Sequence, residues 1–356
     1  MKVAIFTARL IYGGGEKVQN WVARQLIEAG IQVAYFAPTV DEEYLQKLQK
    51  LDLFGKVEPV QYPHRIKARH PFRFTKEMRR LYREHGIDAI LIFGGSFWEE
   101  WAARQMGVKV ILAERSNPGW RKWPNRLLKQ IQFRLGDGYV FQTCEQSQCY
   151  SKFAQNHCAI ILNPIIDEFP LSSVPIRKEI VTVGRLSEVK NIPGILSAFA
   201  RFRSSHPDYK LVVYGSGPQE QTIREVIAER HLEGAVEIIK NKTNIPELIE
   251  GAALFVFNST NEGMPNALVE AMSVGLACIS TDCPIYGPRA LINDGENGAL
   301  IPVNDDNALY NKMCEIIDNE ELANKYRKNA ILIREKLKQE KIAKQWIDFF
   351  KSIEKS

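Results

Sequence analysis

The sequence lacks the marks of three common classes of protein. Its six cysteines (Cys144, Cys149, Cys158, Cys278, Cys283 and Cys314) include no C-x2-C pair. Neither a zinc site nor a disulfide framework is therefore expected, and free thiols in a reducing cytosol are. No stretch approaches the roughly 20 apolar residues that cross a bilayer. The opening MKVAIFTARL has an apolar run too short for a secretory signal and passes directly into a strand pattern. The expectation is a protein that is soluble or peripheral to a membrane and does not span it. The fingerprint G-x-G-x-x-G is also missing, which leaves a nicotinamide site without support.

What is present is enough chain for two domains. The 356 residues carry a net charge of +5, distributed unevenly. Residues 1–167 have 24 Lys and Arg against 16 Asp and Glu, and the remainder has 23 against 26. A basic half joined to a mildly acidic one suggests an anionic partner for the first half.

The chain is organised around Asn258 to Asp282. The apolar run Leu254-Phe255-Val256-Phe257 reads as a buried strand. Gly263 and Pro265 then break it, with Pro265 at the start of a helix. Ala267, Leu268, Ala271 and Met272 form one buried helical stripe, Gly275 stops the helix, and Ala277-Cys278-Ile279 begins the next strand. The start of such a helix offers unpaired N–H groups and a positive dipole end, so the amides of Met264, Asn266 and Ala267 are candidates for holding phosphate oxygens. Glu262 and Glu270 punctuate the unit as hydroxyl acceptors. Eight helical residues would rise roughly 12 Å between them, about the length of a sugar–diphosphate–ribose unit. The alternative is an ordinary strand–loop–helix with a solvated Glu270.

Two further stretches carry glycine or paired cations. Lys2 to Thr7, the glycine loop Gly13-Gly14-Gly15 and a helix from Glu16 to Ala29 make a Rossmann-like opening. In the second half, Gly184-Arg185-Leu186 follows a strand over Glu179–Val183, and Lys190-Asn191 begins a helix. Residues 165–178, with Pro170 and Pro175, read as a linker. The first half also holds two basic stretches. Residues 64–86 interleave arginines with Phe72, Phe74, Met78, Leu81 and Tyr82. Trp120 and Trp123 lie among Arg121, Lys122, Arg126 and Lys129. Basic residues beside tryptophans suit a helix at an anionic bilayer surface, although an ordinary surface helix has the same pattern. No recognition-helix or RNA-binding motif supports a nucleic-acid partner.

EGMPNALVEAM, with Glu262 and Glu270 as E-x7-E, resembles the donor-site signature of retaining GT-B glycosyltransferases of family 4. GRLSEVKN resembles that family's G-R-L-x-x-x-K-N, and GGGEK its G-G-x-E-R loop with Lys17 in place of Arg. The resemblance covers nearly the whole chain. It implies an α/β GT-B fold of two Rossmann-like domains facing an interdomain cleft. Residues 1–167 would bind the acceptor, with a C-terminal helix near 340–356 packing back on them, and 168–339 the nucleotide-sugar donor.

In the resemblance, Arg185 and Lys190 hold the donor diphosphate and neutralise the leaving group, and Glu262 contacts the transferred sugar. Glu270 binds the ribose. Gly184, Gly263, Met264, Pro265, Asn266, Ala267 and Asn241 surround the donor, and Gly13, Gly14 and Gly15 face the diphosphate and the acceptor. ERSNP, which resembles a subset acting on polyprenyl-diphosphate-linked sugars, adds Arg115 and Asn117. Ala290 stands where the later G-P-x-E loop has Glu.

Two fixed cations do a metal's task and no D-x-D triplet occurs, so neither a metal nor any other cofactor is expected. The implied reaction moves a hexosyl or N-acetylhexosaminyl unit from a nucleotide sugar, with retention, to a glycan or lipid-linked acceptor of a bacterial surface polysaccharide. UDP-sugar is the first choice of donor and GDP-mannose the second. The location would be cytoplasmic, at the inner face of the cell membrane if peripheral. Two alternatives are a nucleotide-sugar epimerase of the same architecture and a non-catalytic nucleotide-sugar-binding partner. The epimerase needs His and acidic groups for proton transfer, and the six histidines lie outside every motif above.

Overall fold

The computed structural model describes residues 1–355 except 8–9, 11–13, 68, 94–96, 116–128, 168, 170–173, 243 and 286. The chain divides into two compact units, Met1–Ile166 with Gln339–Ser356, and Asp167–Lys338.

The first unit holds a seven-stranded sheet in the order β3-β2-β1-β4-β5-β6-β7. Its strands are β1 (Lys2–Phe6), β2 (Gln32–Ala37), β3 (Glu58–Gln61), β4 (Ala89–Phe93), β5 (Lys109–Ala113), β6 (Gly138–Phe141) and β7 (Cys158–Ile160), all paired in parallel. Alternate residues of β1 feed opposite faces. Val3 and Ile5 pack with Trp21, Leu26 and Trp346, whereas Ala4 packs with Phe74, Met78 and Tyr82. The helix Gln339–Lys355 closes the first of these faces. Ile342, Ala343, Trp346, Phe349, Phe350 and Ile353 recur on one helical stripe and all enter that core. Its start is tied to the helix Gly14–Glu28 by Trp21 Nε1, which donates to Gln339 Oε1 at 2.7 Å.

The second unit holds a six-stranded parallel sheet in the order β10-β9-β8-β11-β12-β13. Its strands are β8 (Arg177–Val183), β9 (Lys210–Tyr214), β10 (Val236–Ile239), β11 (Ala252–Phe257), β12 (Cys278–Thr281) and β13 (Ala299–Ile301). All six residues of β11 are buried, as expected of a central parallel strand covered on both faces. In each unit the sheet starts in the middle and grows outward first one way and then the other. The reversal falls between β1 and β4 in the first and between β8 and β11 in the second. Open α/β sheets bind ligands beyond the carboxyl ends of the strands at such a reversal.

The described elements shift some expected boundaries. The helix after the glycine loop begins at Gly14 and includes Gly15, so these two glycines form its first turn. Pro265 precedes the helix Asn266–Ser273 instead of opening it. Trp120 and Trp123 lie outside the described residues, as do Gly13 and Asn117. All six cysteines are free thiols.

Candidate active site

The carboxyl ends of β8 and β11 carry most of the candidate residues of the second unit. Past Val183 the chain bends through Gly184 into Arg185 and Leu186, and it is pinned to the end of β9. Gly184 N donates to Tyr214 O at 3.0 Å and Leu186 N to Ser216 O at 2.9 Å. The approach is so close that a Cβ on Gly215 would lie 1.9 Å from Gly184 O. Only glycine fits there. Arg185 is exposed, and its side chain makes no ion pair among the described residues.

A short helical turn, Glu188–Lys190, follows, and Asn191 then takes a left-handed conformation (φ 44°) to cap the helix Ile192–Ser205. This turn is bound to the residues that leave β11. Thr260 N donates to Val189 O at 2.8 Å, and Asn258 Nδ2 to Asn191 O at 3.4 Å. The result is a fixed Lys190. Its Nζ lies 2.6 Å from Glu262 Oε1 and 4.4 Å from the centre of the Phe257 ring. Both side chains of the pair are partly shielded, each 19% exposed. Two residues 72 apart in sequence thus meet in the crevice between β8 and β11.

Glu262 leads into Gly263, Met264 and Pro265, then into the helix Asn266–Ser273. Leu268 N and Val269 N both bond to Pro265 O, at 3.1 and 3.2 Å, which leaves the Ala267 amide without an intrahelical acceptor. Gly287 abuts this loop from the next one: a Cβ placed on it would lie 1.6 Å from Gly263 O. Two residues before Gly287, Ile285 holds φ at 66°, an unusual conformation for a β-branched residue. Ser259 O accepts from Thr281 Oγ1 at 2.5 Å and from Cys283 Sγ at 3.0 Å. Burial pushes the Cys283 thiol up to about 11, so this contact is a neutral structural one.

Glu270 sits on the helix, half-buried. Because Glu262 is in the loop, helical rise accounts for only about 6 Å, from Asn266 to Glu270, and the 12 Å estimate does not hold. Asn241 (φ 55°) is exposed just past β10, on the same sheet edge. It lies two strands out from β8, roughly 10 Å at the usual strand spacing. Ala290 contributes its backbone: Ala290 O accepts from Lys336 Nζ at 2.6 Å.

In the first unit, Arg115 follows β5. Its Nη1 donates to Asn163 Oδ1 at 2.8 Å, and the guanidinium lies over Phe93 (5.3 Å) and Trp346 (5.6 Å). Nε and Nη2 are shut off from solvent and have no hydrogen-bond partner. Burial draws the guanidinium pKa down to about 10, so it keeps its charge at neutral pH. Neighbouring Glu114 is spent on Lys129 (3.1 Å) and the Tyr150 hydroxyl (2.8 Å).

Sequence reasoning missed Phe257, Asn258 and Thr260. The polar run Asn258-Ser259-Thr260 directly after a buried strand was the available signal, because polar residues at a strand's carboxyl end face the ligand edge of such sheets.

Comparison with known proteins gives this arrangement a class. The chain matches the family described as Glycosyl transferases group 1 over residues 167–332, and Glycosyltransferase Family 4 over residues 12–160. Among solved structures, HepE from Anabaena in complex with UDP superimposes with a TM-score of 0.81 over 99% of this chain and all of that one, at 16% identity. The fold is therefore GT-B, and the protein is a glycosyltransferase. It belongs to the group 1 glycosyl transferases, family 4. Two relatives align along nearly the whole length. An uncharacterized glycosyltransferase of Haemophilus influenzae is 25% identical over 94% of this chain and 95% of its own. An α-1,4-N-acetyl-D-galactosaminyltransferase of Campylobacter jejuni, whose name gives a diphospho-undecaprenol-linked glycan, is 24% identical over 93% and 92%.

Proposed function

We propose that the protein transfers a hexosyl or N-acetylhexosaminyl unit from a UDP-sugar, with retention of anomeric configuration and without a metal. The acceptor is a lipid-linked intermediate of a surface glycan, met at the cytoplasmic face of the membrane. The observation that carries this reading is the Lys190–Glu262 pair, fixed in the crevice where the sheet order of the second unit reverses. A cation and a carboxylate 2.6 Å apart suit a ligand that brings a diphosphate and a sugar to the same place. Lys190 and Arg185 take the diphosphate, and Glu262 takes the sugar hydroxyls. The helix start at Asn266 adds backbone amides for the phosphate oxygens, and Glu270 accepts from the ribose. Asn241 is placed for the outer end of the nucleotide, Arg115 for the acceptor.

Charge builds on the β-phosphate as the glycosidic bond breaks; Lys190, already held in position, stabilises it with little reorganisation, and Arg185 adds a second cation. The acceptor hydroxyl then attacks from the face the diphosphate leaves, and the departing phosphate oxygen takes its proton. The solved UDP complex of HepE and the lipid-linked glycan in the name of the Campylobacter relative support the choice of donor and acceptor class.

The test is nucleotide release from a panel of UDP-, GDP- and ADP-sugars, with membrane extract as acceptor and EDTA present. Release from one UDP-sugar is expected, falling by about 10²–10³ in Glu262→Ala and Arg185→Ala. Conversion of the sugar without nucleotide release would instead identify an epimerase. Binding of a nucleotide with no turnover, with or without added metal, would identify a binding partner.

A further inference from the structure

The first unit presents an aromatic and basic surface with no role in the site described above. The helix Pro71–Glu84 packs against the helix Phe97–Arg104. The first follows β3 and the second follows β4, so both begin at the carboxyl edge of the sheet. At that shared end, Phe72 is 81% exposed and Trp101 is 40% exposed, while Phe97 and Trp98 are half-exposed. The four rings touch in sequence: Phe72 meets Trp98 edge-on at 6.1 Å, Trp98 meets Phe97 edge-on at 5.0 Å, and Phe97 stacks on Trp101 at 6.1 Å.

Below the cluster the support is rigid. Lys67 Nζ pairs with the buried Glu99 carboxylate at 2.8 Å, joining the chain before one helix to the first turn of the other. The Tyr82 hydroxyl donates to Glu99 O at 3.1 Å.

Running away from the rings, Phe72, Lys76, Arg79 and Arg83 recur at i, i+4, i+7 and i+11, which is one stripe of the helix. Arg69 and Arg73 flank it. Among the described residues none of these five cations has a carboxylate partner. The two acids on the helix that lie nearby, Glu77 and Glu84, are both held by Arg80 at 2.9 and 2.7 Å. Elsewhere on the same unit, surface lysines such as Lys47 and Lys56 pair with acids one turn away.

The cations from Arg73 to Arg83 spread along about 15 Å of helix and do not converge on a point, so a single small anion does not explain them. Two of the three ring contacts are edge to face and only Phe97 and Trp101 lie parallel, so the cluster is not a continuous platform for stacked bases. An anionic layer with an apolar interior matches both features at once. We propose that this surface, Phe72, Phe97, Trp98 and Trp101 with the Lys76–Arg79–Arg83 stripe, docks the protein on an anionic lipid bilayer. The proposal rests on the reading above only in placing the acceptor in a membrane. It assigns the contact to residues outside the candidate site.

The test is sedimentation of the full-length protein with vesicles of phosphatidylcholine, alone or mixed with phosphatidylglycerol. Binding to the mixed vesicles and its loss at high salt are expected. Each cation near an anionic surface contributes about fivefold, so Lys76→Gln with Arg79→Gln lowers the partition about 25-fold. Phe72→Ser with Trp101→Ser lowers it too, with the salt dependence retained. Phe54→Ser is the control: it removes a ring of comparable exposure (58%) just ahead of β3, at the opposite sheet edge, and leaves binding unchanged. Circular dichroism checks that each variant is folded. Wild-type-like binding by both folded double variants would overturn the proposal. Absence of wild-type binding to phosphatidylglycerol, or preference for duplex nucleic acid over vesicles, would overturn it as well. Nucleotide release with a soluble acceptor is read in parallel. A chain that turns over no donor yet loses vesicle binding in these variants keeps the docking surface and loses the transferase assignment.

Discussion

At the scale of single residues, the second unit uses burial to keep thiols neutral beside a charged site. Cys278 is raised well above the ordinary thiol range by burial alone. Cys283 is raised to about 11, chiefly by burial and further by the nearby Glu262 carboxylate. A native thiol held protonated favours the folded state as long as the unfolded thiol would also be protonated. Above pH 9 the unfolded chain ionises and the native one does not, so stability falls as pH rises from about 9 towards 11. Each unit in that window costs on the order of 1.4 kcal/mol per thiol. Urea midpoints should therefore drop between pH 8 and pH 10, and Cys283→Ala should reduce the drop. An equal drop in that variant would mean that other groups govern the alkaline limit. The residues most visible in sequence were those in named patterns, Arg185, Lys190, Glu262 and Glu270. Phe257 was invisible as a site residue and Thr260 was marked only by its place in the polar run after β11, because their partners, Lys190 and Val189, lie about 70 positions away and no local spacing encodes such a contact.

At the scale of elements, legibility followed burial and length. β11, AALFVF, stood out because central parallel strands are short continuous apolar runs, whereas β8, RKEIVTV, has that character only from Ile180 onward. β3, with sequence EPVQ, did not stand out. It is an outer strand of the first sheet, where a proline and charged residues are tolerated, so its pattern resembles a loop. β6, GYVF, is only four residues long and opens on a glycine. The two loops that face each other at Gly263 and Gly287 were each legible, but their approach was not, since it depends on how β11 and β12 lie side by side. The helix Gln339–Lys355 shows the other limit: its apolar stripe is plain, whereas the face it covers is set by the sheet. Trp346 lies at the centre of that face, fully buried, so Trp346→Ala should cost about 3–5 kcal/mol. Guanidinium unfolding monitored by circular dichroism measures it. A loss below about 1 kcal/mol would mean that the helix is not integral to the first core.

At the scale of the whole molecule, the two units differ in how the chain builds them. The second is one continuous segment, Asp167–Lys338, while the first needs Gln339–Ser356 as well as Met1–Ile166. Each has its own core. That of the second unit runs from Ile180 to Tyr326 without a residue from outside the segment. One core of the first includes six residues of the last helix. Continuous segments with a complete core are the ones that fold alone. A fragment spanning 167–338 should therefore unfold cooperatively and, since the Lys190–Glu262 pair and its supports all lie within it, should retain nucleotide binding by calorimetry. A fragment ending at residue 166 should not fold, because the face bearing Val3 and Ile5 would lose the side chains from Ile342 to Ile353 that cover it. Adding the peptide 339–356 in trans should restore structure to that fragment. If 1–166 melts cooperatively by itself, the last helix is an accessory. If 167–338 folds but binds no nucleotide while the full chain does, the donor site needs more than the crevice between β8 and β11.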